Sequence, residues 1–187
     1  TAEQPQIRRF RLCYSKTGPM RFLGHQDLIR LFHRGLRRAG ISLDYSHGFH
    51  PHPRLRFSPP LALGLESVAE YLEFDVVDSS GDPHEILHAL NNCLPEGIQP
   101  LNFSEILLND PPISGRIQSF TYELELDGSV SFEEVCEKAR AFHSAPRVEI
   151  TRTKKGKQLC RDLKEFVEDL TVFESVVRLT VKSGQPG

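Results

Sequence analysis

The sequence predicts an α+β protein built from two ferredoxin-like (βαββαβ) units in tandem. Three observations support this prediction: alternating strand patterns, amphipathic helices between them, and the same order of elements in both halves. The 187 residues, of which 39% are hydrophobic and 26% charged, suffice for two small domains. The predicted units are residues 1–108 and 116–187, joined by a linker at 109–115 that contains Pro111 and Pro112.

Strand and helix patterns alternate through the first half of the chain. In residues 7–15 the apolar Phe10, Leu12 and Tyr14 alternate with polar positions, which predicts a half-buried strand. Residues 24–39 carry apolar side chains at helical spacing and predict an amphipathic helix. The remaining elements of this half are an irregular Pro-rich segment at 44–66, a strand at 72–76, a helix begun by Asp82 and Pro83, and a strand at 98–107.

The second half shows the same kinds of pattern in the same order. Ser131 and Glu134 have the spacing of a capping box, which predicts the start of a helix. The elements predicted here are a strand at 120–126, the helix after Ser131, a hairpin of strands at 148–152 and 158–161, a short helix at 162–170 and a strand at 177–181. Each half is therefore expected to fold in the order βαββαβ.

Composition excludes several classes of protein. The four cysteines, Cys13, Cys93, Cys136 and Cys160, have none of the short spacings of a zinc or iron–sulfur motif, and they are too few for a disulfide scaffold. No apolar run has the roughly 18 residues that a membrane span needs, and no signal segment opens the chain. The sequence therefore predicts a soluble, cytoplasmic protein with no membrane partner.

Charge is distributed unevenly along the chain. Residues 1–60 contain 11 Lys and Arg against 3 Asp and Glu, whereas residues 61–187 contain 12 against 22. Apart from Lys16, every basic residue in the first segment is an arginine. Because the planar guanidinium matches the geometry of phosphate, this excess predicts an anionic partner. The alternative is that these arginines pair with the acidic remainder of the chain.

Five short segments of the first half occur together in a distinctive order. They resemble an uncharacterised bacterial domain that is fused to, or encoded beside, cobalamin-binding radical SAM proteins. The resemblance is dense over residues 10–75 and becomes a general pattern of strands beyond them. The segments are Arg21-Phe22-Leu23-Gly24-His25-Gln26-Asp27-Leu28, Arg37-Arg38-Ala39-Gly40, Tyr45-Ser46-His47-Gly48-Phe49-His50-Pro51, Pro53-Arg54 and Gly64-Leu65-Glu66-Ser67.

The resemblance implies a radical SAM enzyme as a fused or adjacent partner. The chain lacks the three-cysteine motif of such enzymes, so the iron–sulfur cluster, S-adenosylmethionine and cobalamin are implied only for that partner. No cofactor is expected in this chain. Thr1 at the start and residues 183–187 at the end are expected of a domain excised from a longer protein.

His25 and Asp27 are the candidate catalytic residues. They belong to the first of the family segments and lie at the start of the predicted basic helix. A carboxylate near an imidazole fixes its tautomer and raises its basicity, as a general base requires. Positions i and i+2 do not face each other on a helix, however. The alternative is that both residues cap the helix and hold the Pro-rich segment against it.

Arginines from three predicted elements are the candidate nucleic-acid-binding residues. They belong to the first strand, the first helix and the Pro-rich segment, where aromatic side chains offer surfaces on which bases stack. The alternative is a solvated helix face with the aromatic side chains in the core. The candidates are Arg9, Arg11, Arg30, Arg34, Arg37, Arg38, Arg54, Arg56, Tyr45 and Phe49.

Two further clusters have a plainer interpretation. His47, His50 and His52 have a spacing that suits a metal ion, but loop histidines beside prolines are commonly polar surface, so no metal site is predicted. The turn Lys154-Lys155-Gly156-Lys157 is either a phosphate contact or an ordinary exposed turn.

Together these patterns predict a binding module that presents RNA to a radical SAM partner and has no catalytic activity of its own. Two alternatives stay open. One is a metal-independent endoribonuclease in which His25 is the base and Tyr14 or Lys16 assists. The other is a protein-docking domain whose basic face binds the radical SAM partner.

Overall fold

The chain has two compact units, and its predicted α+β class is confirmed. A computed structural model describes residues 6–77, 82–154 and 157–184. The units are Thr1–Arg116 and Ile117–Gly187. The described residues form antiparallel sheets and three α-helices. Among these residues, none of the helices combines the length and the hydrophobicity that a membrane span requires.

The first unit contains a four-stranded sheet and two helices in the predicted order. The elements are β1 (Ile7–Lys16), α1 (His25–Arg38), β2 (Leu55–Phe57), β3 (Ser67–Val77), α2 (Pro83–Asn91) and β4 (Ile98–Ile106). The sheet has the strand order β2-β3-β1-β4, and all neighbouring strands are antiparallel. Strand β2 lies inside the Pro-rich segment that was expected to be irregular.

One face of this sheet and the apolar side of α1 form the core. Alternation along β1 directs Phe10, Leu12 and Tyr14 to the face that α1 covers, where all three are fully buried. Phe32 of α1 meets the ring of Tyr14 edge-on at 4.7 Å between centroids. Leu36 is also fully buried. Because this side of α1 is committed to the core, its polar side faces outward.

The predicted linker at 109–115 contributes to the first unit. Residues Ile113–Gly115 form a short 3-10 turn that packs against β2 and β3. Ile113 is only 7% exposed. The end of this segment is therefore part of the packed unit.

Gly97 precedes β4, and its conformation suits glycine only. Its φ is +89°, and a Cβ at this position would lie 2.6 Å from the Thr17 carbonyl oxygen. Gly97→Ala is expected to lower the free energy of unfolding by about 1–2 kcal/mol because of backbone strain. The crowded contact with the Thr17 carbonyl is expected to lower it by about 1–3 kcal/mol more. Gly40→Ala is the matched control, since Gly40 has φ +75° with nothing within 4 Å. Urea unfolding tests this, and equal losses in the two variants would refute the steric account.

The second unit contains one α-helix and two separate sheets among its described residues. The elements are β5 (Ser119–Glu125), α3 (Phe132–Ser144), β6 (Glu149–Lys154), β7 (Lys157–Asp162), β8 (Val167–Phe173) and β9 (Val176–Lys182). The three-stranded sheet has the order β5-β9-β8, and β6 and β7 form a hairpin of their own. As predicted, Ser131 caps α3 by accepting a hydrogen bond from the Glu134 amide at 3.2 Å.

The prediction of a short helix at residues 162–170 is wrong. Leu163–Glu165 form a 3-10 turn, and strand β8 follows. The pairing of β8 with β9 shifts register between Val167 and Asp169, so an extra residue separates the inward-facing Val167 and Leu170. This bulge converts the two-residue period of a strand into a helix-like spacing. The second unit accordingly lacks the second helix of a βαββαβ order in the part that the structure describes.

Candidate functional site

The outer side of α1 borders an open groove. The groove has a volume of about 1040 Å³, and its opposite wall is residues 92–95, between α2 and β4. Four exposed arginines recur along α1 at spacings that place them on one side of the helix. They are Arg30, Arg34, Arg37 and Arg38.

Positive charge in this groove is only partly compensated. Asp27 accepts a hydrogen bond from Arg30 at 2.9 Å, and Arg38 donates to the Cys93 carbonyl. Within the described residues, neither Arg34 nor Arg37 has a carboxylate at ion-pair distance. These two guanidinium groups are therefore available to an anionic ligand.

The pKa of His33 is affected by the positive charge of these two arginines. Burial lowers the pKa of its imidazole, and the charges of Arg37 and Arg34 lower it further. The His33 ring is turned toward Tyr45, with its Nε2 2.9 Å from the tyrosine hydroxyl. The neutral form of His33 therefore predominates near pH 7, and the positive charge at this part of the helix comes from the arginines.

The loop that follows Tyr45 carries an exposed aromatic ring. Within it, the Ser46 amide donates to the His52 carbonyl at 2.8 Å. Phe49 lies between these two residues and is fully exposed. Because Tyr45 is half-buried and bonded to His33, it anchors the loop to α1 instead of offering a free stacking surface. Phe49 is the aromatic side chain of this loop that is open to stacking.

The arginines of the strands are engaged in ion pairs inside the first unit. Arg9 and Arg11 each lie 2.6 Å from a carboxylate oxygen, of Asp75 and of Glu73 respectively. Arg56 adds a second partner to Asp75 at 3.2 Å. The two carboxylates are only 2% and 1% exposed. In addition, Arg54 lies 2.9 Å from Asp44.

The structure separates the arginines that the sequence predicted to converge. Side chains alternate across a strand, so Arg9 and Arg11 point away from the β1 face that packs against α1. Their cross-strand partners are Asp75 and Glu73 of β3, as the register of the two strands requires. This corrects the expectation that arginines of three elements share one open surface. The groove arginines are those of α1 alone.

A second, much smaller cavity lies beside the start of α1. It measures about 10 Å³, and its walls include Tyr14, Lys16, His25, Ser58 and Glu70. The three residues of the nuclease hypothesis are thus brought together. Ser58 and Glu70 were not predicted, because a serine before prolines and one glutamate in a strand carry no sequence signal of their own.

Two polar groups of this cavity are deeply buried. Lys16 is 2% exposed and donates to the Leu23 carbonyl at 2.9 Å. Burial lowers the pKa of Lys16, and Glu70 partly opposes that shift. Burial also raises the pKa of Tyr14, whose hydroxyl has no hydrogen-bond partner among the described residues. The cavity therefore contains hydrogen-bonding capacity that the fold leaves unused.

His25 and Asp27 face different parts of the molecule. The His25 ring packs edge-on against Phe57 at 5.4 Å between centroids and lines the small cavity. Asp27 lines the groove, where it pairs with Arg30. The two residues therefore line different cavities, as their i, i+2 spacing on the helix implies, and their catalytic role stays a prediction.

Comparison with protein families places the chain in a bacterial family. Residues 9–187 match the family described as "Uncharacterized protein conserved in bacteria (DUF2344)". The chain belongs to this family. A search of curated proteins gives no match. The part of the chain that matches DUF2344 begins within β1 and includes both the groove and the small cavity.

Two of the segments singled out in this DUF2344 chain lie against each other. The Gly64 amide donates to the Arg21 carbonyl at 3.0 Å, and the side chains of Arg21 and Glu66 lie 3.3 Å apart. Glu66 also accepts a hydrogen bond from the Gly18 amide at 2.9 Å. Segments 21–28 and 64–67 thus form one local structure next to the small cavity.

The histidines of the Pro-rich loop form no metal cluster in the structure. His47, His50 and His52 are exposed. Across the described residues, no three His, Cys, Asp or Glu side chains are grouped as metal ligands would be. Lys155 and Gly156 of the predicted basic turn lie outside the described residues, as do Thr1 and residues 185–187.

Proposed function

We propose that this protein is an RNA-binding accessory module and that the α1 groove is its binding site. The observation that carries the proposal is the composition of the groove, in which four arginines face one carboxylate. Arginine binds phosphate through two parallel hydrogen bonds, so a row of guanidinium groups along a helix suits the successive phosphates of an RNA backbone.

Single-stranded RNA, or the loop of a structured RNA, is the proposed ligand of this groove. Proteins recognise unpaired nucleotides by combining a cationic track with aromatic rings on which bases stack. The groove supplies the track, and the fully exposed Phe49 supplies a ring on a loop that Tyr45 ties to α1. A small-molecule anion would use the arginines but would leave Phe49 without a role.

The wider context is also part of the proposal. The motif resemblance favours a cytoplasmic radical SAM system as the setting, with RNA presented to the partner enzyme. The element order of the first unit and its β2-β3-β1-β4 sheet favour a ferredoxin-like fold for that unit.

Direct docking of the partner on the basic groove is the alternative to RNA binding. Copurification of the partner that survives nuclease treatment, without any RNA binding, would favour docking.

Titration of a fluorescein-labelled 12-nucleotide RNA by anisotropy tests the binding function. Contacts from two to four arginines predict that log K falls linearly with log salt, with a slope of about −1.4 to −2.8. Salt-insensitive binding, or no binding at 50 mM salt, would refute the proposal.

A metal-independent endoribonuclease is the second candidate function. It is favoured by one observation, namely that Tyr14, Lys16 and His25 line the same cavity. The volume of that cavity, about 10 Å³, is room for about one water molecule and much less than a ribose needs. The structure therefore gives the binding function the stronger support.

Incubation of labelled RNA with the protein in excess chelator tests the nuclease. If it is an enzyme, RNA is cleaved, His25→Ala abolishes cleavage, and Asp27→Ala, on the groove side, retains it. Intact RNA after prolonged incubation with the unaltered protein removes this candidate.

A further inference from the structure

The hairpin of β6 and β7 projects as a separate ribbon in the second unit. Its six residue pairs form a two-stranded sheet that no other described strand joins. Residues 149–153 and 158–160 are all exposed, so both faces of the ribbon are open to solvent over most of its length. An isolated two-stranded hairpin gains little stability of its own. We call the paired strands of this hairpin, residues 149–154 and 157–162, the arm.

The two faces of the arm differ in chemistry. Cross-strand pairing places Arg152 opposite Leu159, and Ile150 opposite Arg161, all four on one face. The guanidinium of Arg161 lies 5.8 Å from the centre of the Phe166 ring, near the base. The opposite face carries the hydroxyl, thiol and amide groups of Thr151, Thr153, Gln158 and Cys160, and at its base the carboxylates of Glu149 and Asp162.

The arm is basic within an otherwise acidic unit. It contains four Lys and Arg against two Asp and Glu, whereas residues 117–148 and 163–187 contain six against ten. Its two acids lie at the base, where Glu149 pairs with Arg147 at 2.8 Å and Asp162 accepts from the Val148 amide at 2.9 Å. Both acids therefore lie at the base of the arm, in contact with residues 147 and 148.

We propose that the arm is a second RNA-binding element, which contacts the backbone of double-helical RNA. This inference rests on the proposed RNA-binding function and extends it to a second class of RNA structure. The arm contains no aromatic residue on which an unpaired base stacks. It offers cations for phosphates and hydroxyl and amide groups for the 2′-hydroxyls, the groups through which proteins recognise RNA helices. Six residues of strand extend about 20 Å, enough to reach several successive phosphates.

Two labelled RNAs test the inference, a 20-base-pair duplex and an unstructured single strand of 20 nucleotides. Arg152→Glu is expected to weaken duplex binding about tenfold at 50 mM salt and to leave single-strand binding within twofold, because the arm provides no stacking surface. Arg140→Glu is the matched control, since it makes the same charge change on α3. Leu159→Lys adds a cation opposite Arg152 and is expected to strengthen duplex binding about threefold.

The outcomes separate this inference from the function on which it rests. Equal duplex affinities for the unaltered protein, Arg152→Glu and Leu159→Lys would overturn the inference and leave single-strand binding by the groove intact. If the unaltered protein binds neither RNA, both proposals fail. The gain expected from Leu159→Lys keeps the test decisive even if Arg152→Glu disturbs the hairpin.

Discussion

Replacing both Arg34 and Arg37 with alanine is expected to weaken binding of single-stranded RNA about 30- to 100-fold at 50 mM salt. The two guanidinium groups have no carboxylate partner within the described residues. Because the groove is open to water, each lost phosphate contact is expected to cost about 1–1.4 kcal/mol, between the values for an exposed ion pair and for a hydrogen bond to a charged group. Losing two phosphate contacts should also reduce the salt slope by about 1.4. Anisotropy titrations at 50 and 200 mM salt measure both quantities.

The control for this prediction is a double variant with the same loss of charge elsewhere. Arg140→Ala with Arg178→Ala removes two exposed arginines of the second unit, neither of which lines the groove. Arg38 is retained because its bond to the Cys93 carbonyl holds the groove wall. Equal losses of affinity in the two double variants would show that only net charge matters and would contradict a defined site.

The titration of His33 provides an internal check on the same variant. Burial and the charges of Arg37 and Arg34 hold its pKa below the usual value. Removing both arginines should therefore raise the His33 pKa, which NMR measures directly. An unchanged pKa would show that the arginines do not act on His33.

Asp75→Ala is expected to destabilise the first unit by about 3 kcal/mol at pH 7. The Asp75 carboxylate is 2% exposed and is bonded to Arg9 at 2.6 Å and to Arg56 at 3.2 Å. Its removal leaves two cations without their partner, and breaking a buried pair costs about 3–5 kcal/mol. The lower end applies because Arg56 is partly exposed and can turn toward water.

Urea unfolding measured by tyrosine fluorescence is suited to this test, because Tyr14, Tyr45 and Tyr71 lie in the first unit and only Tyr122 lies in the second. Glu105→Ala is the matched control. It removes the partner of Arg8, but in a more exposed pair that is expected to contribute at most about 1 kcal/mol. Similar losses for both variants would contradict a buried network.

The Asp75 prediction has a defined pH dependence. Burial opposes ionisation, but the hydrogen bonds and charges of Arg9 and Arg56 outweigh it and lower the pKa of Asp75. Its contribution is therefore present above the pKa of the unfolded chain, about 3.9, and is lost as the pH falls through the folded value. The difference between the unaltered protein and Asp75→Ala should shrink below about pH 4.

Much of the first unit is predictable because its patterns are local. The alternation in β1 and the helical spacing in α1 place Phe10 and Phe32 in the core, and the structure agrees. The same reasoning wrongly predicted a helix where strand β8 lies, because the bulge in this strand places the inward-facing Val167 and Leu170 three positions apart. Periodicity records spacing alone, so it cannot distinguish a bulged strand from a short helix.

The candidate site was predictable only in part, because pairing across a sheet is not visible in a single sequence. The excess of arginine in residues 1–60 indicated an anionic partner. It did not show that Arg9 and Arg11 face the carboxylates of β3 in register, whereas Arg34 and Arg37 face a groove. A count of charges over residues 1–60 adds the paired arginines of β1 to the groove arginines of α1, although the fold places the two sets on different surfaces.

Crosslinking tests the central claim most directly. Single-stranded RNA that contains 4-thiouridine is bound at 50 mM salt and irradiated, and the crosslinked peptides are identified by mass spectrometry. Binding in the groove predicts that crosslinks concentrate in α1, residues 92–95 and the loop around Phe49. Crosslinks confined to the sheet face of Arg9 and Arg11, or spread evenly over the chain, would contradict it.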